Sequence, residues 1–488
     1  MDEEDAGVTD GLGGGSPPGR PLVVDMDGTL IRSDLLVESF FALLSSAPLR
    51  AVFALASLLK GRAAFKARIG NEVTLALHHL PLSDTLVTLL REEKAKGRRI
   101  YLASAGHGDY VRGLAAELGL FDGVFASDER TNLSGATKAR VLCDAFGHGG
   151  FDYAGDSSPD LAVWQAAHRV LLVNASPSLI RTARRRFADV TVIEPRSTRS
   201  TDYLRALRPH QWLKNLLLFV PALAAHQFNA TTLVACLLAF ASFSLCASSV
   251  YLLNDLLDLR HDRVHPTKHR RPLAAGKVHL VHGALLAPAL LLAAAITALA
   301  LPWSFLLVLG CYYALTTAYS VYLKRQPVMD VLTLAGLYGI RVYAGAVAIS
   351  VVVSPWLLTF SMFLFLCLAL VKRTAELIER FQTGGADPAG RGYRLTDVTL
   401  LQTMATSAGY VAVLVSGLYI SSVAATSLYG SPERLWIIPG ILLYWISRIL
   451  ILTHRGEMHD DPVLFAATDR TSLVCGALSV LAVLASIR

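Results

Sequence analysis

Two carboxylates separated by one residue follow an apolar run near the start of the chain, in the sequence Asp25-Met26-Asp27-Gly28-Thr29. The preceding run PLVV predicts a buried strand, and α/β sheets bind ligands at the carboxyl ends of their strands. There one carboxylate is placed to attack phosphorus, and the second to protonate the leaving oxygen. The pattern predicts phosphoryl transfer, and the structural alternative is a turn with two solvated acids.

Three later segments carry groups that suit the same chemistry. Ser104 ends the strand-like run YLASAG and could bind a phosphate oxygen. Lys138, in GATKARVL, could offset the charge of a nucleophile and a phosphate. Asp156 and Asp160, in GDSSPD, supply carboxylates for Mg²⁺, a hard cation that prefers oxygen ligands.

A second set of oxygen ligands lies where a long apolar segment ends. Asn254, Asp258 and Asp262 are spaced four residues apart, so on a helix they share one face. The loop that follows is basic and holds Lys268, Arg270 and Arg271, whose side chains are suited to phosphates. An acidic stripe next to a basic loop predicts a magnesium–diphosphate site, and the alternative is a solvated helix end capped by acids.

The composition indicates a soluble domain joined to a membrane domain. Of the 488 residues, 53% are hydrophobic and 17% are charged, whereas soluble domains are about 25% charged. This excludes a disordered chain and an ordinary soluble globule, and six cysteines without a pairing or metal pattern exclude a disulfide scaffold. The net charge of +7 favours anionic lipid or phosphorylated substrates. Nucleic acid is not expected as a partner, because the basic residues are spread between apolar spans.

Strand and helix signals alternate over residues 19–195, which predicts a doubly wound α/β domain with a helical insert at about 33–90. Residues 1–18 are predicted to be a disordered lead, and 196–206 a linker. The apolar stretch 47–60 is too short to span a bilayer, so it either packs inside the insert or contacts the membrane surface. The start of the sequence shows no signal-peptide pattern, so this domain is expected in the cytoplasm.

Residues 207–488 are predicted to form an all-α membrane domain with nine transmembrane helices. The nine apolar spans are near 214–225, 232–253, 280–300, 303–322, 328–350, 354–372, 402–424, 434–452 and 471–487. Lys and Arg concentrate in alternate loops, above all in 254–279, and the positive-inside rule then puts these loops in the cytoplasm. The expected location is the inner (cell) membrane, with both sites facing the cytoplasm.

Taken in order, the four motifs of residues 20–195 resemble the haloacid dehalogenase (HAD) superfamily, and the insert resembles the cap of its phosphoserine-phosphatase-like members. The resemblance implies that Asp25 is a nucleophile that forms an aspartyl-phosphate and that Asp27 is the general acid and base. Ser104 and Lys138 would hold the phosphoryl group. Asp25, Asp27 (through its carbonyl) and Asp156 would bind Mg²⁺, and Asp160 would be a ligand or a partner of one. An inactive regulatory domain is the alternative, which the intact motifs disfavour.

The pattern NDxxDxxxD followed by HPxKxxRPLAAG resembles the UbiA superfamily of intramembrane prenyltransferases. Two further segments, LRPHQWLKNLLLF at 207–219 and YSVYLKRQPVMD at 319–330, look like the decaprenyl-phosphate phosphoribosyltransferase branch. The resemblance implies that Asn254 and Asp258 hold the catalytic Mg²⁺, with Asp262 as a further ligand. It also implies donor-binding roles for five residues: Lys214, Tyr251, Lys268, Lys324 and Arg341. Lys372 and Arg373 could contact a lipid phosphate, or could simply follow the positive-inside rule.

These resemblances imply a magnesium-dependent bifunctional enzyme with phosphoribosyl diphosphate and a polyprenyl phosphate as substrates. The phosphatase domain would remove the 5-phosphate from the lipid product. One alternative is a UbiA-type aromatic prenyltransferase with an unrelated HAD domain, although Lys324 and the single acid Asp330 disfavour it. Another is a transporter with a regulatory HAD domain. The residues leave open whether the chain forms a homo-oligomer.

Overall fold

The computed structural model describes residues 19–487 except 62–64, 66–67, 71, 74, 76, 128–131, 197, 383–391 and 459–460. The predicted lead 1–18 therefore lies outside the described residues. The described chain divides into two compact units. One contains the residues up to Leu207 together with Leu252–Leu286, and the other contains Arg208–Tyr251 and the residues from Ala287 onward. The domain boundaries given above stay a prediction.

The first unit is built on a parallel sheet of six strands, as counted over the described residues, in the order β3-β2-β1-β4-β5-β6. The strands are β1 (Leu22–Asp25), β2 (Ile100–His107), β3 (Gly123–Ser127), β4 (Asp152–Gly155), β5 (Val170–Ala175) and β6 (Val190–Pro195). Leu22 and Val24 face one hydrophobic core and Val23 faces the other, because side chains alternate along a strand. All of β1 is buried, as expected for a central parallel strand with both faces covered. The predicted parallel α/β sheet is confirmed.

Helical segments occupy the insert between β1 and β2 and connect the later strands. The α-helices of this unit are Leu35–Ser46, Pro48–Leu55, Asp84–Ala95, Gly108–Leu118, Ala136–Phe146, Leu161–Ala166, Pro177–Arg186, Ser200–Leu207 and Leu259–Val264. Its 3₁₀ segments are Ala56–Lys60, Leu77–His79, Ser158–Asp160 and Lys268–Arg270. Asp34 caps the first insert helix by accepting a hydrogen bond from Val37 N–H at 3.0 Å.

The apolar stretch 47–60 presents several of its large side chains outward. Leu49, Val52 and Phe53 are exposed, whereas the small Ala51 and Ala54 are buried. The sequence predicts that the stretch either packs inside the insert or contacts the membrane surface. Packing inside the insert holds for Ala51 and Ala54 but not for Leu49, Val52 and Phe53.

Over the described residues, seven helices are long and apolar enough to cross a membrane. They are Ala230–Leu257, Leu280–Ala298, Trp303–Val321, Met329–Ala348, Pro355–Gln382, Leu395–Ile420 and Pro432–His454. An eighth candidate is the pair Pro462–Thr468 and Arg470–Ser486, which is bent by 78°. The count of nine is not confirmed, because the first predicted span folds as a 3₁₀ segment, Pro209–Phe219, and a short helix, Val220–Ala224.

The remaining elements of the second unit are short, and some of them begin the spans just named. They are the 3₁₀ segments Leu323–Arg325, Leu395–Asp397 and Pro432–Trp436 and the helix Val423–Leu428. Leu395–Asp397 leads into the helix Val398–Ile420, and Pro432–Trp436 leads into Ile437–His454.

Candidate active sites

The carboxyl edge of the sheet gathers the predicted phosphatase residues from three adjacent strands. Asp25 is the last residue of β1, Ser104 lies in β2, and Asp156 follows β4 directly. Strands β2 and β4 pair with β1 on either side, so these side chains emerge at neighbouring positions. All three residues are buried. The sequence-based prediction of a polar site at this edge agrees with this arrangement.

Asp25 forms a buried ion pair with Lys138, which lies in the first turn of the helix Ala136–Phe146. Lys138 Nζ donates to Asp25 Oδ1 at 2.7 Å and to Tyr153 Oη at 2.9 Å. Burial raises the pKa of Asp25 to about 6, although Lys138 acts to lower it. Burial alone would lower the pKa of Lys138, but Asp25 and Asp160 outweigh it and the pKa is raised. Lys138 therefore stays a cation beside the carboxylate.

Asp25, Asp156 and Asp160 form a buried cluster with carboxylate oxygens within 4.8 Å of one another. Burial, reinforced by the other two acids, raises the pKa of Asp156 well above its ordinary value. A divalent cation would relieve this repulsion, and an all-oxygen donor set is the one that Mg²⁺ prefers. The residues present therefore fit the metal that the HAD resemblance implies.

Asp160 is held in place by four hydrogen bonds. Its Oδ1 accepts from Tyr153 Oη at 2.9 Å. Its Oδ2 accepts from Asp156 N at 3.2 Å, from Ser157 N at 3.0 Å and from Ser157 Oγ at 2.9 Å. These bonds fix the loop after β4 around Asp160, and its role as a metal ligand or as a partner of one stays a prediction.

Asp27 connects the turn after β1 to the insert. Its Oδ1 accepts from Leu35 N–H at 2.9 Å, and Ser104 Oγ donates to its Oδ2 at 3.4 Å. Gly28 follows with φ +79°, a conformation that L residues rarely adopt. Asn174 Nδ2 donates to the Gly28 carbonyl at 3.0 Å and fixes this turn. The metal-binding role predicted for the Asp27 carbonyl stays a prediction.

A cavity of about 330 Å³ opens beside these groups. Asp25, Asp27, Lys138 and Asp156 lie on its wall, together with the insert residues Leu35 and Ser39. This volume is at the lower end of the range for small-molecule sites, about 300–1,000 Å³. The cavity therefore has room for a compact phosphorylated substrate.

The acidic stripe begins at the end of the long helix Ala230–Leu257. The helix stops before Asp258, which precedes the short helix Leu259–Val264. Main-chain hydrogen bonds continue through the break, because Asp258 N donates to Asn254 O and Asp262 N donates to Asp258 O, each at 2.9 Å. The four-residue spacing predicted for one face is therefore kept, although the chain forms two helices.

Asp262 is engaged by an arginine of the basic loop. Arg271 Nη1 donates to Asp262 Oδ2 at 2.6 Å and to Asp255 Oδ1 at 3.1 Å. Sequence reasoning assigned Arg271 to phosphates and overlooked Asp255, which is buried. Lys268 lies in the same loop and is exposed. The metal-binding role of Asp262 stays a prediction, and in this structure its carboxylate is paired.

The second unit contains a polar cluster around Asp461. Lys214 Nζ and Lys372 Nζ donate to Asp461 Oδ2 at 2.7 and 2.8 Å. Tyr338 Oη donates to Asp461 Oδ1 at 3.2 Å. Sequence reasoning missed Asp461, although an acid at the edge of an apolar segment is the signal that could have found it. The cluster joins Lys214, a predicted donor-binding residue, to Lys372.

Arg341 adjoins the same tyrosine. Its Nε donates to Asn215 Oδ1 at 2.9 Å, and its Nη2 donates to Tyr312 Oη at 2.9 Å. Its guanidinium lies 5.7 Å from the centre of the Tyr338 ring, as does the Nζ of Lys214. The structure thus brings together two of the predicted donor-binding residues, Lys214 and Arg341.

Two other predicted donor-binding residues lie on other elements, and one of them, Tyr251, is within electrostatic reach of Arg341 and Asp461. Tyr251 is on the helix Ala230–Leu257, and the guanidinium of Arg208 lies 5.2 Å from its ring centre. Lys324 is half-buried in the 3₁₀ segment Leu323–Arg325. Their roles stay predictions.

Arg373 is held by neighbouring side chains and is fully buried. It donates to both oxygens of Asp330, to Tyr319 Oη at 2.7 Å and to Glu376. An arginine with these partners supports the helix packing and is not presented to a lipid phosphate, so the lipid-binding hypothesis for Arg373 is not supported by its contacts.

Three relatives differ in how much of the chain they match. An uncharacterized protein of Sinorhizobium fredii, y4nM, is 35% identical over 94% of this chain and 89% of its own length. The nodulation protein NoeC of Azorhizobium caulinodans is 36% identical over 56% of this chain and 89% of its own length. The decaprenyl-phosphate phosphoribosyltransferase of Corynebacterium glutamicum is 34% identical over 44% of this chain and 67% of its own length.

Solved structures with similar parts are more distant. A UbiA homolog from Archaeoglobus fulgidus, bound to DMAPP and Mg²⁺, covers 59% of this chain and 99% of its own, with 19% identity and a TM-score of 0.45. A phosphoserine phosphatase in its apo form covers 38% of this chain and 97% of its own, with 16% identity and a TM-score of 0.27. At these TM-scores the likenesses do not establish what the chain does.

The family is settled by a match over the apolar part of the sequence. Residues 216–473, more than half of the 488, match the UbiA prenyltransferase family. This range contains the acidic stripe, the basic loop and the seven apolar helices described above. The chain therefore belongs to the UbiA prenyltransferase family.

Proposed function

We propose that the chain is a bifunctional membrane enzyme. Its transferase part moves a 5-phosphoribosyl group from phosphoribosyl diphosphate to a polyprenyl phosphate, such as decaprenyl phosphate, and diphosphate leaves. Its phosphatase part then removes the 5-phosphate and yields polyprenyl-phosphoryl ribose, a precursor of cell-wall arabinan. The observation that carries the proposal is a buried Asp25–Lys138 pair in an acidic cluster, on a chain whose relatives include a decaprenyl-phosphate phosphoribosyltransferase.

In the phosphatase step, an oxygen of Asp25 attacks phosphorus and the bond to the ribose 5-oxygen breaks. Lys138, 2.7 Å from Asp25 Oδ1, offsets the charge that accumulates as the phosphoryl group approaches. Asp27 gives a proton to the leaving 5-oxygen and later removes one from the water that hydrolyses the phosphoenzyme. Magnesium held by Asp25 and Asp156 would neutralise the charge of the phosphoryl oxygens.

In the transferase step, an oxygen of the lipid phosphate attacks C1 of the ribose and the bond to diphosphate breaks. Lys214 and Arg341 are cations that can offset charge on the donor phosphates. Asn254 and Asp258 supply oxygen ligands for a magnesium ion, which would stabilise the departing diphosphate. The acceptor is a lipid, which explains why a sugar transferase is built from apolar helices.

Both sites face the cytoplasm of the inner membrane in this proposal, because the basic loops flank the acidic stripe. A phosphatase on the same chain sees the lipid intermediate at a raised local concentration. Tethering would favour removal of the phosphate before the intermediate diffuses away.

The substitution Asp25→Asn tests the phosphatase step. Membranes that contain the variant are supplied with phosphoribosyl diphosphate labelled in the ribose and with a polyprenyl phosphate. The label should enter lipid at the wild-type rate, but the lipid should keep its 5-phosphate. Asp189→Asn, an exposed acid of the same unit, serves as the matched control and should behave like the wild type. A dephosphorylated lipid product from the Asp25 variant would contradict the proposal.

The family name favours one other function, transfer of a prenyl group, for which the proposed acceptor is an aromatic compound. Parallel incubations with labelled phosphoribosyl diphosphate and labelled prenyl diphosphate distinguish the two donors. Only the first should label product, and Asp258→Ala should abolish that labelling. If only prenyl diphosphate labels the product, the second function is established. If Asp258→Ala keeps full activity, Asp258 does not bind the catalytic metal.

A further inference from the structure

Two side chains that line the phosphatase cavity come from outside the domain predicted at residues 19–195. Arg196 follows β6, and its N–H donates to Ala175 O at 3.0 Å. His279 precedes the helix Leu280–Ala298, in the sequence that follows the acidic stripe and the basic loop. Neither Arg196 nor His279 belongs to the phosphatase motifs. Their side chains on the cavity wall are therefore free to serve another purpose, such as binding a second part of the substrate.

This part of the wall carries three hydrogen-bond donors and one acid, Asp34, whose Oδ1 accepts from Val37 N–H at 3.0 Å. The Arg196 guanidinium lies 3.9 Å from Asp156 Oδ2 and is partly exposed. Burial, together with the charge of Arg196, lowers the pKa of His279, so its imidazole is neutral and keeps one N–H donor. His107 also lines the cavity, and its Nδ1 has no hydrogen-bond partner among the described residues. Its nearest acid, Asp109, is 3.8 Å away.

The loop that carries His279 is bound to the segment that follows β6. Thr198 Oγ1 donates to Lys277 O at 2.8 Å, two residues before the histidine. Three residues after it, His282 Nδ1 lies 2.6 Å from Tyr203 Oη. Contacts on both sides hold the imidazole at the cavity in a defined position, as a specificity-determining residue requires.

We propose that Arg196 and His279 bind a second anionic group of the phosphatase substrate, a phosphate ester carried by the same sugar. This inference rests on the proposed phosphatase function and names the feature that the site selects. Guanidinium and imidazole N–H groups are suited to phosphate oxygens. The single phosphate of a monophosphate substrate binds at Asp25 and Lys138 and makes no use of Arg196 and His279. These two residues would therefore favour a sugar that has a phosphate at each end. The phosphodiester of a lipid-linked phosphoribose and the second phosphate of a soluble sugar bisphosphate share this chemistry.

Two soluble substrates test the inference on the full-length protein in detergent. Ribose 5-phosphate has one phosphate, and ribose 1,5-bisphosphate has the second at C1. The wild type should show a kcat/KM at least about 10-fold higher for the bisphosphate, the low end for one hydrogen bond to a charged group. His279→Ala should remove most of this preference and leave kcat/KM for ribose 5-phosphate within about twofold. Arg196→Lys, which keeps a charge beside Asp156, should give a partial loss.

His148→Ala is the matched control, because it removes an exposed histidine of the same unit that does not line the cavity. It should keep the wild-type preference. The inference is overturned by a wild type without preference, by equal losses of His279→Ala on both substrates, or by a His148 variant that behaves like the His279 variant.

A third substrate separates this inference from the proposed function. The 5-phosphorylated lipid that accumulates with Asp25→Asn is isolated and given to the wild type. Hydrolysis of this lipid, with loss of activity in His279→Ala, supports both. A preference for the bisphosphate without hydrolysis of the lipid would keep the second anion site and refute the lipid as substrate.

Discussion

Breaking the ion pair between Glu38 and Arg263 should strongly destabilise the first unit, which carries the proposed phosphatase site and is called the phosphatase unit below. Arg263 donates through Nη1 and Nη2 to the two oxygens of Glu38, each at 2.6 Å. The two side chains are only 4% and 6% exposed. Ser33 also donates to Glu38, and Arg263 Nε donates to Ala274 O at 3.2 Å. Because both charges are desolvated, the loss of one leaves the other buried without a counterion.

Removing one partner of a buried pair costs about 3–5 kcal/mol. At about 2–4 °C per kcal/mol for a unit of this size, Glu38→Gln should lower the melting temperature by about 6–20 °C. Arg263→Met should have an effect of similar size. The double variant Glu38→Met/Arg263→Met buries no charge and should recover much of the loss.

Heat inactivation of p-nitrophenyl phosphate hydrolysis is the assay, because it reports on the phosphatase unit alone. Arg169→Met is the matched control: its pair with Asp189 is 45% and 48% exposed, so the expected cost is at most about 1 kcal/mol. If Glu38→Gln is no more damaging than this control, or if the double variant loses the sum of the single losses, the pair does not stabilise the unit as argued.

Three further predictions concern the two sites. Gly28→Ala should lower phosphatase kcat by about 10-fold or more, because φ is +79° and a Cβ would collide with the Asp156 carboxylate; wild-type activity would contradict this. Burial raises the pKa of Asp25 to about 6, so at low pH protons compete with Mg²⁺ for this carboxylate. Adding Mg²⁺ to metal-free protein should therefore raise the melting temperature more near about pH 8 than near about pH 5. An equal shift at both pH values, or a wild-type shift in Asp156→Asn, would oppose the metal site. Asp461→Asn should destabilise the second unit by about 3–5 kcal/mol, because Lys214 and Lys372 lose their shared counterion. Tryptophan fluorescence on heating measures the midpoint of unfolding, and an unchanged midpoint would refute this prediction.

The grouping of the candidate phosphatase residues could be predicted from the sequence, because they lie at or near the carboxyl ends of strands. A parallel sheet brings the carboxyl ends of neighbouring strands to one edge, so Asp25, Ser104 and Asp156 are placed by the strand order. The hydrogen bonds that hold Asp160 through both oxygens depend on the turn after β4, and sequence spacing does not specify them.

The number of membrane spans was harder to predict from the sequence than their positions. The segment 214–225 is apolar, but it begins with a 3₁₀ segment at Pro209–Phe219, and Pro221 opens the short helix that follows. Proline removes a backbone donor, and apolar composition alone does not reveal that a segment is too irregular to span.

The partners of the basic loop could not be found from the sequence. A basic loop beside acids predicts phosphate binding, yet Arg271 pairs with Asp255 and Asp262, and Arg263 pairs with Glu38, 225 residues away. Pairings between residues so distant in sequence depend on tertiary packing, for which a single sequence offers no periodic signal. The same holds for His279 at the phosphatase cavity.

A donor with two labels reports on both proposed reactions in one experiment. Phosphoribosyl diphosphate with tritium in the ribose and a radioactive 5-phosphate is given to the purified wild-type protein with decaprenyl phosphate and Mg²⁺. Tritium should enter the lipid, while the radioactive phosphorus should be released as inorganic phosphate. Lipid that retains both labels would exclude the phosphatase step, and lipid without tritium would exclude phosphoribosyl transfer.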